Sequence, residues 1–167
     1  MPPIVSIVMP AFDAAAFIEA ALDSALAQTL PEFEVLVVDD GSRDATAAIV
    51  RRRAATEPRL RLLTTGCNGG PARARNLGLD AARGAWVGIL DADDTWAPDR
   101  LQRLLAVAER AAADVVADDL VLVDGETGGQ LGTMFGFDAE ARPRRLDPTT
   151  FVRGYTFGAR RFSLGFL

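Results

Sequence analysis

Three carboxylates fall within four residues at Asp91-Ala92-Asp93-Asp94, directly after the apolar run Trp86-Val87-Gly88-Ile89-Leu90. Acids packed this densely at the end of a buried segment repel one another unless a counter-ion neutralises them. Alternate residues of an extended chain point the same way, so Asp91 and Asp93 can converge on one cation. Carboxylate oxygens are hard ligands that select Mg²⁺ or Mn²⁺ over softer metals, and such an ion commonly bridges to a diphosphate. A second acidic segment, Asp39-Asp40-Gly41-Ser42, follows the apolar stretch 35–38. It suits a turn with a helix cap, and it equally suits a carboxylate that accepts a hydrogen bond from a nucleobase or ribose. Arg73 and Arg75 follow Gly69-Gly70 and can offer a guanidinium to phosphates or steady the acidic cluster. Trp86 and Trp96 read as packing residues. Asp118-Asp119 reads either as an acceptor contact or as a solvated pair.

The residue types that are missing narrow the chemistry further. All 18 basic residues of the 167 are arginine, and the chain has neither lysine nor histidine. That excludes a Ser-His-Asp triad, a histidine base or metal ligand, a Schiff-base lysine and a P-loop lysine. A general base must then be Asp, Glu or something rarer. The single Cys67 allows no intrachain disulfide and no cysteine-rich zinc site, as expected of a reducing cytoplasm. A net charge of −5 argues against a nucleic-acid partner. No apolar run approaches the roughly 20 residues needed to span a bilayer, and residues 1–4 do not resemble a signal segment. The expected location is therefore cytoplasmic, with peripheral contact at the inner face of the membrane left open.

The elements that position these groups alternate regularly. Residues 4–9 form a β-branched-rich strand stopped by Pro10, and 14–28 have helical periodicity through Ile18, Leu22 and Leu26. Residues 35–38 are a second strand. Asp44 or Ser42 caps a helix over 46–55, and 60–64 are a third strand. The turn Asn68-Gly69-Gly70-Pro71 leads into a helix through Ala82, and 86–90 are the fourth strand. Pro98 opens a helix with a stripe of Leu101, Leu104, Leu105 and Ala108. Four strand–helix alternations with short connections predict an α/β fold, a mostly parallel sheet with helices on both faces. Ligands of such sheets bind at the carboxyl ends of the strands, where all the acidic segments fall. Beyond residue 113, 114–123 read as a strand with 131–137 as its hairpin partner, and 138–148 as a charged loop. Residues 151–167 are aromatic and carry Arg153, Arg160 and Arg161. Their apolar finish, Phe166-Leu167, suggests a truncation or a second chain. The first strand-to-helix turn lacks glycine, which argues against a dinucleotide-binding Rossmann domain, and there is neither a nucleophile elbow nor a Walker A loop.

Taken in order, these segments resemble the family 2 glycosyltransferases of the GT-A (Rossmann-like) fold. The residues that carry the resemblance are Val5-Ser6-Ile7-Val8-Met9-Pro10-Ala11-Phe12-Asp13, Val37-Val38-Asp39-Asp40-Gly41-Ser42-Arg43-Asp44-Ala45-Thr46, Asn68-Gly69-Gly70-Pro71-Ala72-Arg73-Ala74-Arg75-Asn76-Leu77-Gly78 and the D-x-D segment Ile89-Leu90-Asp91-Ala92-Asp93-Asp94. The family usually has Asn where this chain has Asp13. The resemblance implies a nucleotide-sugar donor core over 1–135 and the start of an acceptor-side region over 136–167. It implies that Pro10 and Phe12 line the base pocket, that Asp40 contacts the base and that Asp91 approaches the ribose. Asp13, Arg73 and Ala92 complete the implied donor site, and Asp93 would hold Mg²⁺ or Mn²⁺ on the diphosphate. The implied reaction is inverting transfer to a saccharide or lipid-linked acceptor in polysaccharide biosynthesis. The residues 162–167 look like the approach to the segment that carries the family's Glu-Asp base in succinoglycan-type members, and no such pair follows here. The expectation is therefore donor and metal binding with slow or no transfer by this chain alone. Two alternatives stand beside it. One is an inactive donor-binding module. The other is a HAD-type phosphohydrolase with Asp91 as nucleophile and Asp93 as acid/base in Asp91-Ala92-Asp93-Asp94-Thr95, although its motif normally opens the fold and is followed by a lysine.

Overall fold

The computed structural model describes residues 2–125 and 127–134, together with the backbone of Thr156–Phe157 and Arg160–Arg161. Contacts divide the chain into two compact units, residues 1–103 and 104–166. The first unit alternates strand and helix: β1 (Val5–Ala11), α1 (Ile18–Leu26), β2 (Phe33–Asp39), α2 (Thr46–Ala54), β3 (Leu60–Thr64), α3 (Pro71–Ala81) and β4 (Trp86–Ile89). All pairings are parallel and the order is β3-β2-β1-β4. The chain steps outward from β1 through β2 to β3, then crosses back to place β4 on the other side of β1. The order therefore reverses between β1 and β4, which is where a parallel sheet opens a crevice.

Every residue of β1 and β2 is buried, so both faces of these strands are covered. Burial of each large side chain, such as Ile7 or Leu36, stabilises the fold by about 1.5–3 kcal/mol. One face packs on α3. A Cβ added to Gly78 would lie 2.3 Å from Val8 Cγ1 and 3.2 Å from Val38 Cγ2, so only glycine lets this helix sit so close to the sheet. Ile7, Met9 and Val37 alternate with those valines and point to the other face. Ala11 pairs with Asp39, and Asp39 with Thr64, so β1, β2 and β3 end level with one another.

At the opposite end of the sheet Glu34 is buried and saturated. Its carboxylate accepts Ser6 Oγ at 2.8 Å, Arg83 N at 3.0 Å, Arg83 Nη2 at 2.6 Å and Arg61 Nη1 at 3.2 Å. Burial works to raise this carboxyl, but the bonds from Arg83, Ser6 and Arg61 outweigh it and hold it below its ordinary value of 4.5.

Some boundaries differ from the sequence reading. Pro10 lies inside β1 rather than ending it. Val8 and Pro10 turn their backbone groups toward β4, whose pairing stops at Val8↔Ile89 with Leu90 N donating to Val8 O, so the missing N–H costs no ladder bond. Helix α1 begins at Ile18 rather than Ala14; Ala14 O accepts the N–H groups of Phe17 and Ile18, both at 2.9 Å, in a single turn before it. Helix α4 (Arg100–Ala111) begins two residues after Pro98 and continues into the second unit. Its start is fixed by Gln28, whose Oε1 accepts Leu101 N at 3.1 Å while Nε2 donates to Ala97 O at 2.8 Å.

In the second unit β5 (Val121–Val123) pairs antiparallel with β6 (Gln130–Thr133). The expected strand over 114–123 shortens to its last three residues, Val121–Val123, with Met134 N donating to Leu120 O at 2.8 Å just before them. Asp124 closes the turn, its Oδ1 accepting Thr127 N at 2.7 Å. Two short strands, β7 (Thr156–Phe157) and β8 (Arg160–Arg161), pair antiparallel. Otherwise the expected loop over 138–148 and the segments 135–137, 151–155 and 162–167 lie outside the described residues.

Candidate functional site

A cavity of about 460 Å³ opens at the carboxyl ends of β1, β2 and β4, at the crossover point of the strand order. Its wall combines the end of β1 from Pro10, Asp40 after β2, the start of α3 and the turn after β4.

The loop that leaves β1 is stitched to the start of α2. Asp13 N donates to Ser42 Oγ at 3.0 Å, Ala14 N to Thr46 Oγ1 at 2.8 Å and Ala15 N to Asp44 Oδ2 at 2.9 Å. Three consecutive N–H donors are thus satisfied by Ser42, Asp44 and Thr46, which alternate along one segment. Asp44 also accepts Thr46 N at 2.9 Å, so it ties the start of α2 to the β1 loop, although the N-cap residue of α2 is Ala45 rather than the expected Asp44 or Ser42. Hydrogen bonds from the Thr46 side chain and backbone and from Ala15 hold its carboxyl below the usual range. In return, Asp13 Oδ1 accepts Arg43 N at 2.7 Å and Oδ2 accepts the Arg43 guanidinium, which holds the Asp13 carboxyl low as well.

Asp40, nearly inaccessible at 3 % exposure, fixes the glycine turn before α3. Its Oδ2 accepts Gly69 N at 2.9 Å and Gly70 N at 2.7 Å, and its Oδ1 accepts Thr65 Oγ1 at 2.6 Å. Burial raises this carboxyl; the Thr65 hydroxyl, the two amides and the Arg73 charge outweigh that and bring it below its ordinary value. Gly41 supports the approach of these loops: its φ is +78°, and a Cβ there would stand 2.9 Å from Asn68 N.

After β4 the chain turns rather than running on extended. Asp94 N donates to Asp91 O at 3.1 Å, which closes a four-residue turn with Ala92 buried and Asp93 exposed at its corner. The strand-like alternation expected of Asp91 and Asp93 is therefore replaced by turn geometry. Both still line the cavity. Arg75 Nη2 donates to Asp91 Oδ1 at 2.6 Å, and Arg75 Nε is buried with no hydrogen-bond partner. Burial and then the charges of Asp93 and Asp91 push the Asp94 carboxyl up. Among the described residues no three acidic, histidine or cysteine side chains converge into a closed ligand set. Oxygen donors at the cavity rim with excess negative charge suit a hard divalent ion whose remaining ligands come from elsewhere.

Of the residues singled out in the sequence, Pro10, Phe12, Asp13, Asp40, Asp91, Ala92 and Asp93 all border this one cavity. Arg73 does not: its guanidinium turns back to Thr65 O at 3.3 Å and to Cys67 Sγ at 3.3 Å. Arg75 takes the place on the wall, with Asn68 and Phe17 beside it. The signal for Arg75 was present, since Pro71, Ala74, Arg75 and Gly78 share one helical face and Arg73 lies on the other. Trp96 packs on β4, where a Cβ on Gly88 would meet its ring at 2.8 Å. Among the described residues no helix is long and apolar enough to cross a membrane.

The chain is similar to two succinoglycan biosynthesis proteins and to several solved structures. It is 39% identical over 165 residues to the succinoglycan biosynthesis protein ExoO of Rhizobium meliloti, covering 99% of this chain and 46% of that protein. It is 38% identical over 168 residues to ExoU of the same organism, covering 98% and 47%. It thus spans about half the length of these relatives. Among solved structures, S. aureus TarS 1-349 in complex with UDP matches with a TM-score of 0.65 and 32% identity, over 77% of this chain and 37% of that one. Mannosyltransferase PcManGT from Pyrobaculum calidifontis, in complex with GDP-Man and Mn²⁺, matches with a TM-score of 0.58 and 37% identity, over 74% and 36%. The family model described as glycosyl transferase family 2 matches residues 6–165, which displaces the phosphohydrolase alternative. With a parallel sheet open at its switch point and this match along nearly its whole length, the chain belongs to glycosyl transferase family 2.

Proposed function

We propose that this chain binds a nucleoside-diphosphate sugar in the cavity at the strand ends and forms the donor side of a glycosyltransferase of polysaccharide biosynthesis. The observation that carries the reading is that one cavity gathers Phe12, Asp40, Arg75, Asp91 and Asp93. Pro10 and Phe12 offer an apolar wall to the base. Asp40 already accepts three hydrogen bonds, and a carboxylate has about four acceptor positions, so one remains for a base N–H. Asp91 takes the ribose side, with Ala92 beside it. Arg75, with its buried Nε unpaired, supplies positive charge at the diphosphate. Arg73 shapes the 65–67 segment behind Asp40 rather than meeting the donor. Asp93 is the residue that would hold Mg²⁺ or Mn²⁺. When bound, that ion would offset negative charge on the departing nucleoside diphosphate. The acceptor is a saccharide or a lipid-linked acceptor, and the transfer inverts the anomeric centre. PcManGT is in complex with GDP-Man and Mn²⁺ and TarS 1-349 with UDP, which supports a metal-assisted nucleotide site here.

Calorimetric titration of the chain with UDP-, GDP- and TDP-sugars, with and without Mn²⁺, tests this reading. One nucleotide should bind, and more tightly with Mn²⁺. Absence of binding by all three would overturn it. Binding without transfer to any saccharide acceptor would assign the chain as a donor-binding module.

A further inference from the structure

Asp13 stands at the cavity lip in a left-handed conformation, φ +47°, which Asp tolerates better than most residues. The segment 42–43 holds it there. Ser42 Oγ accepts its N–H, Arg43 N donates to Oδ1 at 2.7 Å, and the guanidinium donates to Oδ2 at 2.7 Å and 3.2 Å. The same guanidinium lies over the neighbouring ring, its carbon 5.4 Å from the centroid of Phe12. Phe12 borders the cavity and is 39% exposed; Arg43 does not border it, and its side chain is 79% exposed. A carboxylate from one loop and a guanidinium from the next therefore meet at one aromatic ring on the cavity mouth. So exposed an ion pair adds little to global stability, and its effect falls on local geometry. A guanidinium within about 6 Å of a ring face restrains that ring. A ring already ordered before binding gives up less freedom when a base stacks on it.

We propose that the Asp13–Arg43 pair is a clamp that presets Phe12 for the nucleotide base, so that Arg43 is a positioning residue which tightens nucleotide binding without touching the nucleotide. The proposal rests on the donor reading above. Nothing else in the cavity wall needs Arg43: Asp40 is held by Thr65 and the glycine turn, and Asp91 by Arg75. The side chains on the segments flanking the pair are accounted for too, Ser42 by Asp13 N and Asp44 by Ala15 N and Thr46.

The test is a double-mutant cycle read by calorimetry, with UDP, GDP and TDP as probes in the presence of Mn²⁺. Arg43→Ala should weaken binding of the accepted nucleotide about three- to tenfold. In a Phe12→Ala background the same substitution should change affinity by less than about twofold, since the ring it acts through is gone. Arg43→Lys should recover part of the loss, keeping the charge but not the planar fork. Asp13→Asn, which keeps an acceptor for Arg43 N but not the charge, should fall between wild type and Arg43→Ala. An equal loss in both backgrounds, or no loss in the wild-type background, overturns the clamp while leaving donor binding intact. Wild-type protein that binds none of the three nucleotides overturns the donor reading, and the clamp with it.

Discussion

Asp40 and Gly70 are thirty residues apart in the chain and 2.7 Å apart in space, the glycine N–H donating to the Asp40 carboxylate. This bond, with its neighbour at Gly69, ties the end of β2 to the first turn of α3 and so sets the far wall of the cavity. Asp40→Asn should be tolerated. The amide oxygen can keep the glycine N–H groups, and its NH₂ can donate to Thr65 Oγ1, whose own proton then goes to Cys67 O at 2.8 Å. The expected cost is about 1 kcal/mol, the charge assistance lost. Asp40→Ala leaves Gly69 N without its acceptor, while Gly70 N keeps Asn68 Oδ1 at 3.2 Å. Its expected cost is about 2–3 kcal/mol by urea denaturation. Equal costs for the two variants would contradict this account of the turn.

The contact of α3 with the sheet gives a second prediction. Gly78→Ala places a methyl 2.3 Å from Val8 Cγ1, and Val8 is fully buried in a strand paired on both sides. Overpacking should destabilise the protein by about 1–3 kcal/mol, beyond the roughly 1 kcal/mol that alanine gains over glycine in a helix. Val8→Ala combined with Gly78→Ala should cost less than the sum of the single changes, a coupling measured by a double-mutant cycle of urea midpoints.

Glu34 predicts a pH dependence at the other end of the sheet. Its folded-state carboxyl lies below its ordinary value of 4.5, because the bonds from Arg83, Ser6 and Arg61 outweigh burial. A depressed folded value means stability that is fully present above pH 4.5 and is lost as pH falls through the lower folded value. Glu34→Gln should therefore melt below wild type at pH 7, by about 1–3 kcal/mol. The gap should narrow as pH drops below 4.5 in thermal melts. A gap that stays constant down to pH 3 would refute the assignment to Glu34.

For the acidic turn, Asp93→Asn should remove the gain in nucleotide affinity that Mn²⁺ provides, a loss of about tenfold or more, equivalent to about 1.4 kcal/mol. Affinity without metal should change little. Titrations with and without Mn²⁺ separate the two effects, and an undiminished Mn²⁺ response would move the metal ligand elsewhere.

Much of this protein is local and can be read along the chain. Runs of β-branched residues mark β1 and β2, because strand formation depends on neighbours two apart, and the leucine-rich β3 has the expected boundaries, Leu60–Thr64. The spacing of Pro71, Ala74, Arg75 and Gly78 already separates the inward arginine from the outward one. The acids at 39–40 and 91–94, and the absence of lysine and histidine, restrict the chemistry without any coordinates. The tertiary structure alone decides which partners meet. Ser42, Asp44 and Thr46 reach back about thirty residues to the N–H groups of 13–15, Asp40 reaches forward to the glycine turn, and Glu34 meets Arg83 across 49 residues. Those meetings depend on strand order and register, which place β2 between β1 and β3 and level their ends. Side-chain periodicity carries only nearest-neighbour information, so it marks the acids as strand-end groups, but only the folded sheet determines that one of them builds a wall while others face the cavity.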